Sequence, residues 1–164
     1  QAVVFVDDFP TEDGRVRLVP ADIIPANERP DAAFPFVLIT GRILQHYNCG
    51  AQTRRTDIMQ VVDTDVLEMH PEDARGLGFR DGDMAKLVSA RGEAVLPVAL
   101  SERVLPGELF TSFHFPTTDL NVLLSSSADE SSKCPEYKVS VVRVEKLEKQ
   151  ATTGAGSHHV QLIR

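Results

Sequence analysis

The sequence predicts a mostly-β domain, and three observations carry that prediction. Short β-rich runs recur between turn signals, and a single segment reads as a helix. Trp is absent and aromatic residues make up only 6% of the chain, so the core rests on Val, Ile and Leu, which suit strands. Many short strands with one brief helix build a β-barrel or a small β-rich sandwich. At 164 residues with 42% hydrophobic content the chain can bury one good core, which argues for a single domain plus tails.

Residues 1–34 are rich in Pro, Asp and Ala, with one alternating stretch at 15–19. They read as an extended lead-in from a preceding domain. Phe36-Val37-Leu38-Ile39-Thr40 is a buried strand that feeds a loop at Gly41. Val66-Leu67-Glu68-Met69 is a second strand. The stretch from His70 to Gly78 sets Pro71, Glu72 and Asp73 in a first turn and closes with glycines, which makes one short helix. Arg80-Asp81-Gly82-Asp83 is a turn; residues 84–90 and 94–100 form a hairpin around Arg91-Gly92. Pro97 lies inside the second arm, cannot donate to a ladder, and therefore needs an edge or a bulge. After a turn at Pro106-Gly107, residues 108–115 form a strand and 116–121 a loop entering a short helix or turn. A Val-rich strand at 138–144 follows. The charged stretch at 145–150 and the Gly/Ser tail with His158 and His159 are expected to fray.

Charge and composition exclude several functions. Acidic residues outnumber basic ones by 24 to 17, a net charge of −7, so a broad electrostatic grip on nucleic acid is not expected and any anion must be held locally. No apolar run approaches membrane-spanning length and no basic-then-apolar leader opens the chain, so no membrane insertion is expected; the location is expected to be cytoplasmic, with a periplasmic parent enzyme as the alternative. A first residue Gln1 in place of Met is expected of a piece of a longer chain. Cys49 and Cys134 belong to no CxxC or Cys/His cluster, which supports no zinc or iron–sulfur site; they read as plain buried or semi-exposed thiols. Glu72, Asp73, Asp81 and Asp83 do not follow the calcium-loop pattern, and a helix start and a turn account for them. No metal site is expected.

The segment 40–55 gathers two glycines, a hydroxyl, three arginines, a His and a Tyr just past a strand end. Freed backbone N–H groups there can hold an anion. Arg42, Arg54 and Arg55 can add charge-assisted bonds to phosphate, and His46 or Tyr47 can lie against a heterocycle. A solvated loop with surface arginines explains the same residues, and the segment is neither a P-loop nor a Gly-x-Gly-x-x-Gly fingerprint. His46 and His114 lack an accompanying nucleophile or spaced carboxylate, so packing or hydrogen bonding is expected of them in place of acid–base catalysis. Phe113, Asn121 and Lys138 read singly as core, cap and surface charge. Together they offer a stacking face, an amide and a cation, which a pterin or guanine ring with phosphates would need.

The run Thr40-Gly41-Arg42-Ile43-Leu44-Gln45-His46-Tyr47-Asn48-Cys49-Gly50, then Thr53-Arg54-Arg55, resembles the opening motif of the C-terminal molybdopterin-dinucleotide-binding domain of the dimethyl sulfoxide reductase family. His70-Pro71-Glu72-Asp73-Ala74, Gly82-Asp83 and Pro106-Gly107-Glu108-Leu109-Phe110 fit the same domain. Phe113-His114-Phe115-Pro116 through Asn121-Val122-Leu123, with Pro135-Glu136-Tyr137-Lys138, looks most like a formate dehydrogenase alpha subunit; a periplasmic-type nitrate reductase is the close competitor.

The resemblance implies a six-stranded double-psi β-barrel with short helices over residues 35–147, followed by a flexible tail at 148–164. It implies contact with a bis-molybdopterin guanine dinucleotide, carrying molybdenum or tungsten, from Thr40, Gly41, Arg42, Ile43, Leu44, His46, Tyr47, Cys49, Phe113, Asn121 and Lys138. Relatives often carry Thr where this chain has Cys49, which leaves that position a backbone contact. No catalytic residue is expected here: the metal-binding and iron–sulfur residues of the family lie in other domains of the same alpha subunit. Those domains, and possible further formate dehydrogenase subunits, are the expected partners. A non-enzymatic double-psi barrel that binds a protein or peptide is the third reading.

Overall fold

The computed structural model describes residues 4–148. Six strands close into one barrel: β1 (Phe36–Gly41), β2 (Leu67–Met69), β3 (Met84–Val88), β4 (Glu93–Leu100), β5 (Glu108–Ser112) and β6 (Ser140–Lys146). Their order around the barrel is β1-β5-β2-β4-β3-β6. Two neighbouring pairs, β1 with β5 and β2 with β4, run parallel, and the other four pairs are antiparallel. This is the double-psi barrel that the sequence resemblance implies, and closure gives every strand a partner on each side. Parallel neighbours cannot be joined by a tight turn, so the chain must cross over between them. That requirement brings β1 beside a strand about seventy residues later, with Thr40 opposite Thr111 and Gly41 opposite Ser112.

Period-two alternation sets the interior. Leu38, Leu67, Leu87, Leu96, Leu109 and Val142 are fully buried, joined by Met69 and Leu123. Along β1 and β5 the inward positions pass from Leu38 and Leu109 to Thr40 and Thr111, all sealed from solvent. The barrel interior thus turns from aliphatic to hydroxylated toward the carboxyl ends of these two strands. Each hydroxyl finds an acceptor: Thr40 donates to the Tyr137 carbonyl at 2.8 Å and Thr111 to the Ser112 carbonyl at 3.3 Å.

The expected helix is α1 (Pro71–Leu77). Its N-cap is His70, whose Nδ1 accepts from the Glu72 N–H, and it stops at Gly78, which takes a left-handed φ of 74°. Asp73 reaches from the first turn to accept the Gly107 N–H at 2.7 Å, fixing the turn that opens β5. Asp81 accepts the Leu100 N–H and Asp83 the Arg80 N–H, as expected of turn carboxylates.

Pro97 sits within β4 on a locally unpaired edge. Val98 donates to the Asp83 carbonyl on the β3 side, so alternation points the Pro97 nitrogen the other way, where pairing with β2 begins only at Val98. No strand or regular helix forms before β1 among residues 4–35. The tail at 149–164, with His158 and His159, lies outside the described residues. Leu38 is fully buried between β5 and β6, so Leu38→Ala should cost about 2–5 kcal/mol, read as a lower midpoint with unchanged slope in urea unfolding.

Candidate functional site

β5 is expected to run to residue 115, yet it ends at Ser112. The cause is Asp65, which has no exposed surface. Its carboxylate accepts the backbone N–H of His114 and of Phe115, both at 3.2 Å, the Thr118 hydroxyl at 2.7 Å, and the Ser112 hydroxyl. These donors leave the ladder and turn the chain around one buried acceptor, which must be satisfied because burying a lone carboxylate is expensive. Sequence reasoning missed Asp65; its one signal is an acidic residue directly before an apolar strand with no turn to serve.

His114, held by Asp65 through its backbone, then organises the loop after β1. Its Nε2 accepts the Ile43 N–H at 3.1 Å, and its Nδ1 faces the Asn48 carbonyl. Those partners assign the tautomer with hydrogen on Nδ1. His46 is also inside, its ring edge-on to Phe115 with centroids 4.9 Å apart. Its Nε2 donates to the Val62 carbonyl at 2.8 Å, and its Nδ1 accepts from the Thr53 hydroxyl at 2.9 Å. Both histidines are therefore structural hydrogen-bonding groups. Gly50 has φ of 67°, and an added Cβ would stand 2.9 Å from the His114 carbonyl oxygen and from Arg54 Cγ; only glycine fits there.

At the carboxyl ends of β1 and β5 these two loops border a pocket of ≈ 360 Å³. Cys49, Phe113 and Asn121, three of the residues singled out in the sequence, line it together with Arg54, His114, Phe115, Pro116, Asp119 and Leu120. Arg54 is tied to the Cys49 carbonyl at 3.4 Å. Asn121 stands on a short 3-10 helix, Leu120–Leu123. Lys138 lies beside the exit of β1 and donates to the Thr40 carbonyl at 2.6 Å. An added Cβ at Gly41 would meet the Phe110 ring at 2.6 Å and approach Lys138 Nζ to 3.8 Å, so packing requires this glycine. Arg42, Leu44 and Tyr47 are exposed on the loop, Leu44 completely, while Ile43 is half-buried. Thr40 and His46 are sealed inside. Cys49 and Cys134 are both free thiols, as expected, but more open than the buried or semi-exposed state expected of them: one lies on the pocket rim, the other in the loop before β6.

Behind Lys138 that loop is locally braced. Asp129 accepts the Ser131 and Ser132 N–H groups and the Ser132 hydroxyl. The Ser132 backbone bond, then its hydroxyl, hold the Asp129 carboxyl below the ordinary range against the opposing effect of desolvation.

Residues 36–141 match the family described as "Molydopterin dinucleotide binding domain". The chain belongs to that family. This molydopterin dinucleotide binding domain is 36% identical over 146 residues to the F420-dependent formate dehydrogenase subunit alpha of Methanocaldococcus jannaschii, covering 88% of this chain and 22% of that protein. It is 43% identical over 124 residues to a nitrate reductase of Symbiobacterium thermophilum, covering 73% of this chain and 16% of that protein. The domain thus spans about a fifth of the length of these relatives. Among solved structures, the acetylene hydratase of Pelobacter acetylenicus has the same fold, with a TM-score of 0.58 at 14% identity over 70% of this chain and 18% of that one. Among the described residues no helix is long and apolar enough to cross a membrane.

The pocket's chemistry fits part of a pterin dinucleotide: aromatic walls, an amide that both donates and accepts, a guanidinium for phosphate, and a volume within the usual ligand range. That geometry depends on Asp65. Asp65→Ala leaves three buried donors, the Ser112 hydroxyl and the His114 and Phe115 N–H groups, without their acceptor, at about 1–3 kcal/mol for each one that water cannot reach; the Thr118 hydroxyl keeps the Phe115 carbonyl. Thermal and urea unfolding should show a loss of at least about 2 kcal/mol, with Asp65→Asn costing less because one oxygen remains.

Proposed function

We propose that this domain holds a bis-molybdopterin guanine dinucleotide as the C-terminal part of a formate dehydrogenase alpha subunit. The observation that carries the proposal is the meeting of two distant loops at the carboxyl ends of β1 and β5, which sets Phe113, Asn121 and Arg54 around one pocket. Asn121 would hydrogen-bond the heterocycle, Phe113 would shape or stack on it, and Arg54 would meet phosphate. Lys138, with one of its three N–H donors already on Thr40, would offer the rest to a polar edge of the ligand. Residues 41–44 would contribute backbone, with the exposed Arg42, Leu44 and Tyr47 facing ligand or a neighbouring domain. Cys49 would contact the ligand from the pocket rim. Thr40 and His46 would act from within by fixing the loop, since their polar side-chain atoms already have protein partners.

In the parent enzyme the cofactor's molybdenum or tungsten centre would supply the redox chemistry of formate oxidation to carbon dioxide, with iron–sulfur centres in other domains carrying electrons away. This chain would supply binding, orientation and exclusion of water, and would be inactive alone. Its partners would be the other domains of the same subunit, with its own fold forming the unit from 35 to 147 and 1–34 leading in. Nitrate reduction is the second reading, favoured by the 43% identity to the nitrate reductase. The two readings use this pocket identically, so only the domains that hold the substrate separate them.

Calorimetry with GMP tests the pocket. Wild-type chain should bind, and Arg54→Ala should weaken binding roughly tenfold or more, as loss of a charge-assisted phosphate contact requires. Heat signals at the baseline for wild type, or equal affinity for Arg54→Ala, would count against phosphate recognition here.

A further inference from the structure

Besides Phe34, whose ring lies under Arg143, the residues before β1 reach the barrel through Asn27 and Glu28, whose contacts fall on the segment before β6, on β6 and on the β3–β4 turn. Asn27 donates through its N–H and its side-chain amide to Glu136 at 3.3 and 3.2 Å. Glu136 immediately precedes Tyr137, whose carbonyl holds Thr40, and lies two residues before Lys138. Glu28 accepts the Val141 N–H at 2.9 Å and grips the Arg91 guanidinium through both carboxylate oxygens, the second contact at 3.2 Å. The same guanidinium donates to the Leu123 carbonyl at 2.8 Å, at the end of the 3-10 helix that carries Asn121. Gly92, next to Arg91, packs so closely behind this helix that an added Cβ would stand 2.9 Å from the Val122 carbonyl oxygen. Glu28 and Arg91 side chains are 17% and 28% exposed, so the pair is largely shielded, and a two-point guanidinium–carboxylate contact fixes direction as well as distance.

We propose that Glu28 and Arg91 are positioning residues for the pocket: by clamping the Leu120–Leu123 helix from behind, they make the stance of Asn121 depend on how the lead-in is anchored. Among the described residues no hydrogen bond joins the pair to a pocket-lining side chain; it acts through the Leu123 carbonyl and the close packing at Gly92. A polypeptide segment entering from a preceding domain would thereby be mechanically connected to the ligand site. The inference rests on the dinucleotide reading of the pocket for its ligand readout, and on geometry alone for its structural readout.

The test compares the full chain with Glu28→Gln, Arg91→Lys and, as a control on the same segment, Arg29→Ala, whose exposed side chain makes no hydrogen bond or ion pair. Amide spectra, hydrogen exchange and GMP affinity are recorded for each. Glu28→Gln should move the amides of residues 120–124 and speed exchange at Val141, and should weaken GMP binding about threefold to tenfold, the range of remote coupling. Arg91→Lys should move 120–124 but leave Val141 protected, because Glu28 still accepts that N–H. Arg29→Ala should change neither. If 120–124 keep wild-type shifts and exchange in both Glu28→Gln and Arg91→Lys, the clamp is refuted. If wild type itself binds no GMP, the dinucleotide reading falls, while the amide readout still decides the clamp.

Discussion

Everything at the binding end of this domain depends on one buried carboxylate. Asp65 lies fully inside the protein and takes four donors from a single stretch of chain, Ser112 to Thr118. A buried charge without partners would be untenable, and with partners it commits every one of them to a single geometry. The result is a tight reversal at the end of β5 that presents Phe113 to the pocket and sends the His114 ring back toward the loop after β1. From there the order propagates. His114 fixes Ile43 and Asn48, and His46 packs against His114 and Phe115 while tying down Thr53 and Val62.

Barrel topology explains why those two loops meet at all. Parallel pairing of β1 with β5 aligns their carboxyl ends, so whatever follows each strand emerges at the same rim. The switch from Leu38 and Leu109 to Thr40 and Thr111 along the same strands keeps the lower barrel dry and gives the rim polar anchors. Function sits on loops held by a rigid frame, a general arrangement for binding sites. Family membership names a class of ligand, and the proposal assigns Arg54, Phe113 and Asn121 to hold it.

The fold was legible wherever local chemistry decides structure. His70, Pro71 and Gly78 mark α1 to within a residue, Arg91-Gly92 marks the hairpin, and Pro97 sits where its missing donor faces an unpaired stretch. Strand closure and parallel order were not legible, because alternation records which face a residue takes and not which strand lies beside it. β5 was read too long because Phe113, His114 and Phe115 look like strand residues; a carboxylate fifty positions away overrides them. Cys49, Phe113 and Asn121 line one pocket, and Lys138 stands by Thr40. Arg54 was visible as one of three arginines, but only the turn through Gly50 shows which of them reaches the pocket.

The central claim is that this rim, and no other face of the barrel, receives the pterin dinucleotide. Its most direct test is an amide-resolved NMR titration of the chain with molybdopterin guanine dinucleotide extracted under anaerobic conditions. Shifts concentrated in residues 41–50, Phe113, Asn121 and Lys138, with β3 and β4 unchanged, are the predicted outcome. Saturable shifts confined to another face, or none at any concentration, would contradict it.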